Sequence, residues 1–205
     1  MSVHASDIYS RDRSRGVQSA VGRRLKNLSS RIGENVTIGD DVFLGIDSII
    51  GHGTVIGDRT TIWNWNNIIH DARIGSDVKI ASYVQIDPRV KIGDKTNIQN
   101  YTAVGTDSKV GKRCFFSLGV IFTNTKYPPN QHFEPIVIGD DVMISAGAVL
   151  HPGVKVGDRA VIDTMAVVTH DVPKDEWWRG RPALYYKSRK EYDEGKRLWE
   201  HSISA

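Results

Sequence analysis

The stretch Ile32-Gly33-Glu34-Asn35-Val36-Thr37-Ile38-Gly39-Asp40-Asp41-Val42-Phe43-Leu44 opens a beat of six residues that decides the fold. With Ile32 as first position, the beat runs on through Ile50, Ile56, Ile62, Ile68, Ile74, Ile80, Ile86, Ile92, Ile98, Val104 and Val110 to Phe116. The fifth position is small or β-branched, from Val36 and Val42 through Thr54, Thr60 and Ala72 to Cys114 and Val120, with Asn66 the exception. Residues 32–121 make fifteen such hexads, and six more begin at Ile138, Ile144, Leu150, Val156, Ile162 and Val168. A period of six is neither that of a helix nor that of an alternating strand. It marks a parallel β-helix in which each hexad is one short strand plus a turn, and three hexads close a triangular coil. The large aliphatic residues fill the prism, and stability adds up coil by coil as each rests on the next. Glycine is the second residue in nine of the first fifteen hexads. It is read here as serving a tight turn without a Cβ clash.

The rest of the chain supports one main domain of about seven coils with short appendages. The protein has 205 residues, 19 glycines, one cysteine and a net charge of +3. Such a mild charge does not suggest a nucleic-acid binder. No apolar run approaches the ~20 residues of a membrane span, and no signal-peptide pattern opens the sequence, so a cytoplasmic location is expected. Cys114 sits at a fifth position and is expected to be a buried thiol. Residues 1–31 lack the beat and are polar and basic, with a short helix expected near Val17–Leu28. The β-helix spans 32–173 and is interrupted at 122–137, where Pro128, Pro129 and Asn130 mark an extruded loop. This loop leaves and re-enters near one corner, a common place for function. After Pro173 the beat stops. Trp177 and Trp178 are expected to cap the prism, and Leu184–His201 reads as a C-terminal α-helix within 174–205.

The tail Val167-Val168-Thr169-His170-Asp171-Val172-Pro173, followed by Gly180-Arg181-Pro182-Ala183, resembles the end of the acetyl-CoA-dependent hexapeptide acyltransferases. Ile62-Trp63, Ile86-Asp87, Asn97-Ile98-Gln99-Asn100 and Val120-Ile121-Phe122-Thr123-Asn124 resemble, in order and spacing, the bacterial sugar-nucleotide N-acetyltransferases. The resemblance covers about residues 32–183. It implies a left-handed β-helix, acetyl-CoA as co-substrate, and a UDP- or dTDP-linked amino sugar as acceptor for surface polysaccharide or glycan synthesis. It also implies a homotrimer with active sites between subunits.

A sugar amine is a good nucleophile when neutral, so placement beside the thioester is what the enzyme must supply. The resemblance puts an asparagine at Asn100, which cannot take a proton but can accept a hydrogen bond from the amine. Asn100 is therefore the candidate catalytic residue, with a backbone N–H expected to hold the oxyanion. Asp87, Asn124 and Tyr127 are candidate substrate contacts. Ala146, Thr164, Thr169 and His170 match coenzyme contacts, with His170 where relatives carry lysine. Trp63 and Trp65 could stack a base or meet another subunit.

Three other functions compete with this one. An O-acetyltransferase needs a base for a weak hydroxyl nucleophile, and the segment Phe122-Thr123-Asn124-Thr125-Lys126-Tyr127-Pro128 has no histidine, which leaves His132. A γ-class carbonic anhydrase needs three zinc histidines. His52 and His70 lie 18 residues apart and so stack on adjacent coils, but no third histidine falls at the family's spacing. No metal is expected. A non-enzymatic scaffold would be expected to lack the coenzyme motif at the C-terminal end.

Overall fold

A computed structural model describes residues 30–126 and 132–203, so the segment expected to hold a helix near Val17–Leu28 lies outside the described residues. The hexads form twenty-two rungs of two residues each, wound into three parallel sheets as a left-handed β-helix. Sheet A runs from Arg31–Ile32 to Val167–Val168, sheet B from Thr37–Ile38 to Lys155–Val156, and sheet C from Phe43–Leu44 to Val161–Ile162. A rung pairs with the one 18 residues further on, as Gln85 does with Ala103, or 28 further on across the loop, as Lys109 does with Val137.

The rows explain the beat. First-position residues such as Ile50, Ile62, Ile86, Ile98, Phe116 and Ile144 are fully buried and fill the prism. Fifth-position residues sit beside them, and their polar members tie coils together. The hydroxyls of Ser48, Thr54, Thr60, Thr96 and Thr102 donate to second-position carbonyls of the next coil at 2.9–3.2 Å. Asn66, the exception in its row, is buried but satisfied. Its Oδ1 accepts the Val84 N–H at 2.8 Å and its Nδ2 donates to the Trp63 carbonyl at 2.9 Å. Cys114 is buried as expected, and burial pushes its thiol up to about 11.

The structure bears out the Cβ clash but not the turn as the reason for the second-position glycines. The left-handed backbone falls on the fourth position, where Asn35, Asp41, Asp77, Tyr101 and Asp107 take φ between 54° and 63°. Second-position glycines have ordinary φ and serve close approach instead. A Cβ on Gly57 would lie 2.7 Å from the Gly75 carbonyl carbon and the Ser76 nitrogen. At the corner between sheets B and C the second position is glycine in every coil, from Gly39 to Gly157.

Three boundaries also move. The expected loop 122–137 begins one residue later, because Phe122 is buried against Phe116, and at its far end Val137 is back in a strand, paired with Lys109. The beat does not stop at Pro173. Val156 bridges Val172, 16 residues on, and Ile162 pairs with Trp178, so the beat continues two residues out of phase after a shortened corner. The strand Glu176–Arg179 thereby adds a rung to sheet C and brings the stack to about eight turns. Trp178 packs on the core, as a cap should, whereas Trp177 faces outward against Tyr186 and Tyr192.

The third correction concerns Leu184–His201. Its first part, Leu184–Ser188, is a strand antiparallel to Glu176–Arg179, and helix α1 is Arg189–Ile203. Leu184-Tyr185-Tyr186 favours a strand. Ser188 and Glu191 then form a capping box: the Ser188 N–H donates to Glu191 Oε2 at 2.9 Å and the Glu191 N–H donates to Ser188 Oγ at 3.3 Å. Ser188→Ala is expected to destabilise α1 by about 1 kcal/mol. Faster amide exchange in 189–192, with the coils unchanged, would register it.

Candidate functional site

The three corners of the prism differ in what their side chains do. At the corner between sheets B and C, third-position aspartates cap the coil before them. Asp58, Asp94, Asp140 and Asp158 accept the N–H of Asp40, Ser76, Lys112 and Asp140 at 2.8–3.1 Å. Stacked ion pairs add to this corner, Arg59 with Asp77 at 2.8 Å and Arg113 with Asp141 at 2.6 Å. These side chains are occupied in holding the stack.

The Arg and Lys partners hold four half-buried carboxylates below the usual range: Asp77 by its bond to Arg59, Asp94 by Lys112, Asp107 by Arg89 and Asp141 by Arg113. A depressed carboxylate stabilises above its unfolded value of ~3.9 and loses that contribution as pH falls through the lower folded value. The melting temperature is therefore expected to be flat from neutral pH to about 5 and to fall below about 4. High salt should shrink the drop, because these pairs are exposed.

At the corner between sheets C and A the same capping begins and then stops. Asn64 Oδ1 accepts the Ile46 N–H at 2.9 Å, and Ser82 Oγ accepts the Asn64 N–H at 3.2 Å. Asn100 holds the next third position. Among the described residues its side-chain amide has no hydrogen-bond partner, and the backbone N–H groups of Ser82, Asn100, Leu118 and Ala146 have no acceptor. Nor is Asn100 a left-handed turn residue, since the positive φ of 63° belongs to Tyr101. A cavity of about 290 Å³ opens beside it, lined by Trp63, Lys79, Ala81, Asn97 and Gln99. Gln99 Nε2 donates to Asn97 Oδ1 at 2.7 Å. Outside this row, Trp65, Tyr83 and Tyr101 stack face to face at 5.0 and 5.1 Å and stay exposed. A larger cavity, about 460 Å³, lies between the C-terminal hairpin and α1, away from the corner rows.

The remaining candidates divide between two corners. Ala146 and Thr164 share the third-position row with Asn100, in the order Asn100, Leu118, Ala146, Thr164. At ~4.8 Å per rung that row spans about 14 Å from Asn100 to Thr164. Asp87, Asn124, Thr169 and His170 lie on the corner between sheets A and B. Asp87 accepts Gln85 Nε2 at 3.0 Å, and Asn124 packs over Gly105 at the base of the loop. Thr169 Oγ1 lies 2.9 Å from His170 Nδ1. Five residues separate Asn100 from Gly105 across a sheet A rung, about 16 Å at strand rise. Within one chain the two groups stand on different corners of the prism. Tyr127 lies outside the described residues, and His132 is exposed in the loop.

His52 and His70 stack as expected, with ring centroids 4.9 Å apart. The sequence reading missed Asp71, which joins them in a group whose donor atoms lie within 4.8 Å of one another. Its carboxylate is engaged with His70 Nδ1 at 2.9 Å, and Arg73 acts on it as well. Among the described residues no helix is long and apolar enough to cross a membrane.

The architecture is that of a hexapeptide β-helix in which side-chain capping of one corner row lapses at Asn100. The bacterial transferase hexapeptide family model (six repeats) matches residues 35–70, 53–88, 71–106 and 135–170, and the chain belongs to that family. A 2,3,4,5-tetrahydropyridine-2,6-dicarboxylate N-acetyltransferase of Staphylococcus aureus is 36% identical over 87 residues, 42% of this chain and 36% of the relative. The match thus spans about a third of that curated relative's length. The polySia-specific acetyltransferase NeuO superposes with a TM-score of 0.60 at 22% identity, covering 78% of this chain and 83% of its own. LpxA of Bacteroides fragilis, a UDP-N-acetylglucosamine acyltransferase, gives a TM-score of 0.62 at 20% identity, over 80% and 72% of the two chains. At these identities the two structures show a shared fold.

Proposed function

We propose that this protein transfers the acetyl group of acetyl-CoA to the amino group of a nucleotide-linked sugar, in the cytoplasm, as a homotrimer. The observation that carries the reading is the unpartnered amide of Asn100 at the edge of a cavity, in a row where the preceding third-position side chains, Asn64 and Ser82, cap backbone. Acyl transfer is what the similar proteins are named for.

The coenzyme lies along the row from Asn100 to Thr164. Its pantetheine amides meet open backbone N–H groups, which the small side chain of Ala146 leaves accessible. Asn100 Oδ1 accepts a hydrogen bond from the sugar amine and aims its lone pair at the thioester carbon. The C–N bond forms, and an open backbone N–H of the row takes the oxyanion. The C–S bond then breaks, and the departing thiolate receives the proton that the amine loses. No side-chain base is required, because a neutral amine needs placement more than activation.

Association of copies is supported by the outward rows. Beyond Arg31, sheet A presents Ile49, Asn67, Gln85, Ala103, Ile121, Val149 and Val167 without a charge, while sheet B presents Arg73, Lys91, Lys109 and Lys155. Exposed Ile49 and Ile121 suit burial against a second copy. That contact would bring Asp87, Asn124, Thr169 and His170 of one chain to the Asn100 row of another. The test is a panel of amino-sugar nucleotides with acetyl-CoA and a free-thiol readout. Thiol release with an amino sugar, and not with its hydroxyl counterpart, supports the reading. Release only with hydroxyl acceptors, or with none, overturns it.

A further inference from the structure

We infer that the cavity beside Asn100 is an anion-anchoring subsite for the acceptor, in which Lys79 pairs with a phosphate of the nucleotide-linked sugar. This rests on the reading above that the acceptor amine sits against Asn100.

The outward row of sheet C reads Phe43, Thr61, Lys79, Asn97, Phe115, Met143, Val161. Among these hexad rungs Lys79 is the one charged residue, the next being Lys187 beyond Trp177 in the C-terminal hairpin. On sheet B several cations stand together on a face turned to water, but Lys79 stands alone in a row that includes exposed Phe43 and Phe115. Among the described residues no carboxylate pairs with it. A solitary ammonium on an otherwise uncharged, partly apolar face carries a desolvation penalty whenever that face is covered, unless an anion arrives with the cover.

The surroundings of Lys79 suit an oxyanion. Asn97 is its neighbour in the next rung, in register with it. The bond from Gln99 Nε2 to Asn97 Oδ1 occupies the acceptor of Asn97 and leaves its Nδ2 donors available. Ala81 sits between Trp63 and Gln99 at the second positions of successive coils, so a small floor lies between two larger walls. A cation, amide donors and an indole wall around one hollow fit a phosphate joined to a ring, not an acyl chain. The diphosphate of a nucleotide sugar supplies that anion, and lysine meets it as a point charge.

The full-length protein would be titrated with UDP, with dTDP and with inorganic pyrophosphate, and the acceptor kinetics measured for three variants. Lys79→Ala is expected to raise the acceptor KM roughly 10- to 100-fold. It should leave kcat and the acetyl-CoA KM near wild type and weaken the salt dependence of the acceptor KM. Lys79→Arg should restore most of the loss. Ala81→Leu, which fills the hollow, should block UDP and dTDP binding without lowering the melting temperature. A wild-type acceptor KM and unchanged nucleotide binding in Lys79→Ala would overturn the subsite. Lys79-dependent binding of an acceptor bearing a carboxylate and no phosphate, with UDP and dTDP silent, would overturn the phosphate assignment. If UDP binding depends on Lys79 but acetyl-CoA neither binds nor releases thiol, the subsite stands and the acetyl-transfer reading falls.

Discussion

Asn100→Ala is expected to lower turnover about 100-fold, the loss that follows from misplacing a reacting group by about an ångström, while the protein stays as stable as wild type. The second half of that expectation is structural. The Asn100 amide caps nothing among the described residues, and exposed or half-exposed changes of that kind stay within about 0.5 kcal/mol. Asn64 is the matched control, because it is the same residue at the same third position of the same corner, two coils earlier. Its Oδ1 does accept the Ile46 N–H at 2.9 Å. Asn64→Ala should therefore destabilise by about 1–2 kcal/mol, with smaller loss of turnover. Asn100→Asp keeps an acceptor oxygen but removes the NH2 donor and adds a charge, so it should recover only part of the activity. Full turnover in Asn100→Ala, or a melting temperature that falls as far as in Asn64→Ala, would mean that this amide belongs to the scaffold.

The contrast between Asn64 and Asn100 also marks how far the sequence could be read. The six-residue beat places the first- and fifth-position side chains from Val42 to Val168 correctly because burial is set by position in the hexad, and position is visible. The left-handed turn was harder. Gly53 and Gly119 share the fourth position with Asp77, Arg89 and Tyr101, so no residue type announces it, whereas the conspicuous glycines stand two places earlier for a different reason. The apparent end at Pro173 is a deletion of two residues that throws Trp178 out of phase, and tryptophan in a row of aliphatics does not read as the next beat. The capping box Ser188-Arg189-Lys190-Glu191 fixes the helix start, and a reading that begins the helix at Leu184 passes over it. What no pattern could reveal is which polar side chains are occupied, since Asn64 and Asn100 differ in their partners and not in their identity or position. Nor does chain order show that Asn100, Ala146 and Thr164 share one row while Asp87, Thr169 and His170 lie at another corner. The ten residues inserted before Val137 hide the period that would align them.

Gly93→Ala is expected to destabilise the protein by about 3 kcal/mol, the upper end for overpacking, and Gly119→Ala by only about 1 kcal/mol. The two glycines separate the two reasons for glycine in this fold. Gly93 has ordinary φ, but a Cβ there would lie 2.7 Å from the carbonyl carbon and oxygen of Gly111 and 2.8 Å from the Lys112 nitrogen. All three are backbone atoms, held by the rung bond from the Gly93 N–H to the Val110 carbonyl at 2.9 Å. No side chain can swing aside, so the coils themselves must part. Gly119 has φ of 66° with nothing within 4 Å of a Cβ, so its replacement meets only the intrinsic cost of a left-handed residue. Gly119→Asn should erase even that, since asparagine tolerates the conformation and Asn35 already adopts it at a fourth position. For a chain of this length, Gly93→Ala should lower the melting temperature by roughly 6–12 °C. Each coil rests only on its neighbours, so the damage should loosen the boundary between the Gly93 and Gly111 coils first and show there as faster amide exchange. Equal melting temperatures for Gly93→Ala and Gly119→Ala would remove close backbone approach as the reason for the second-position glycine.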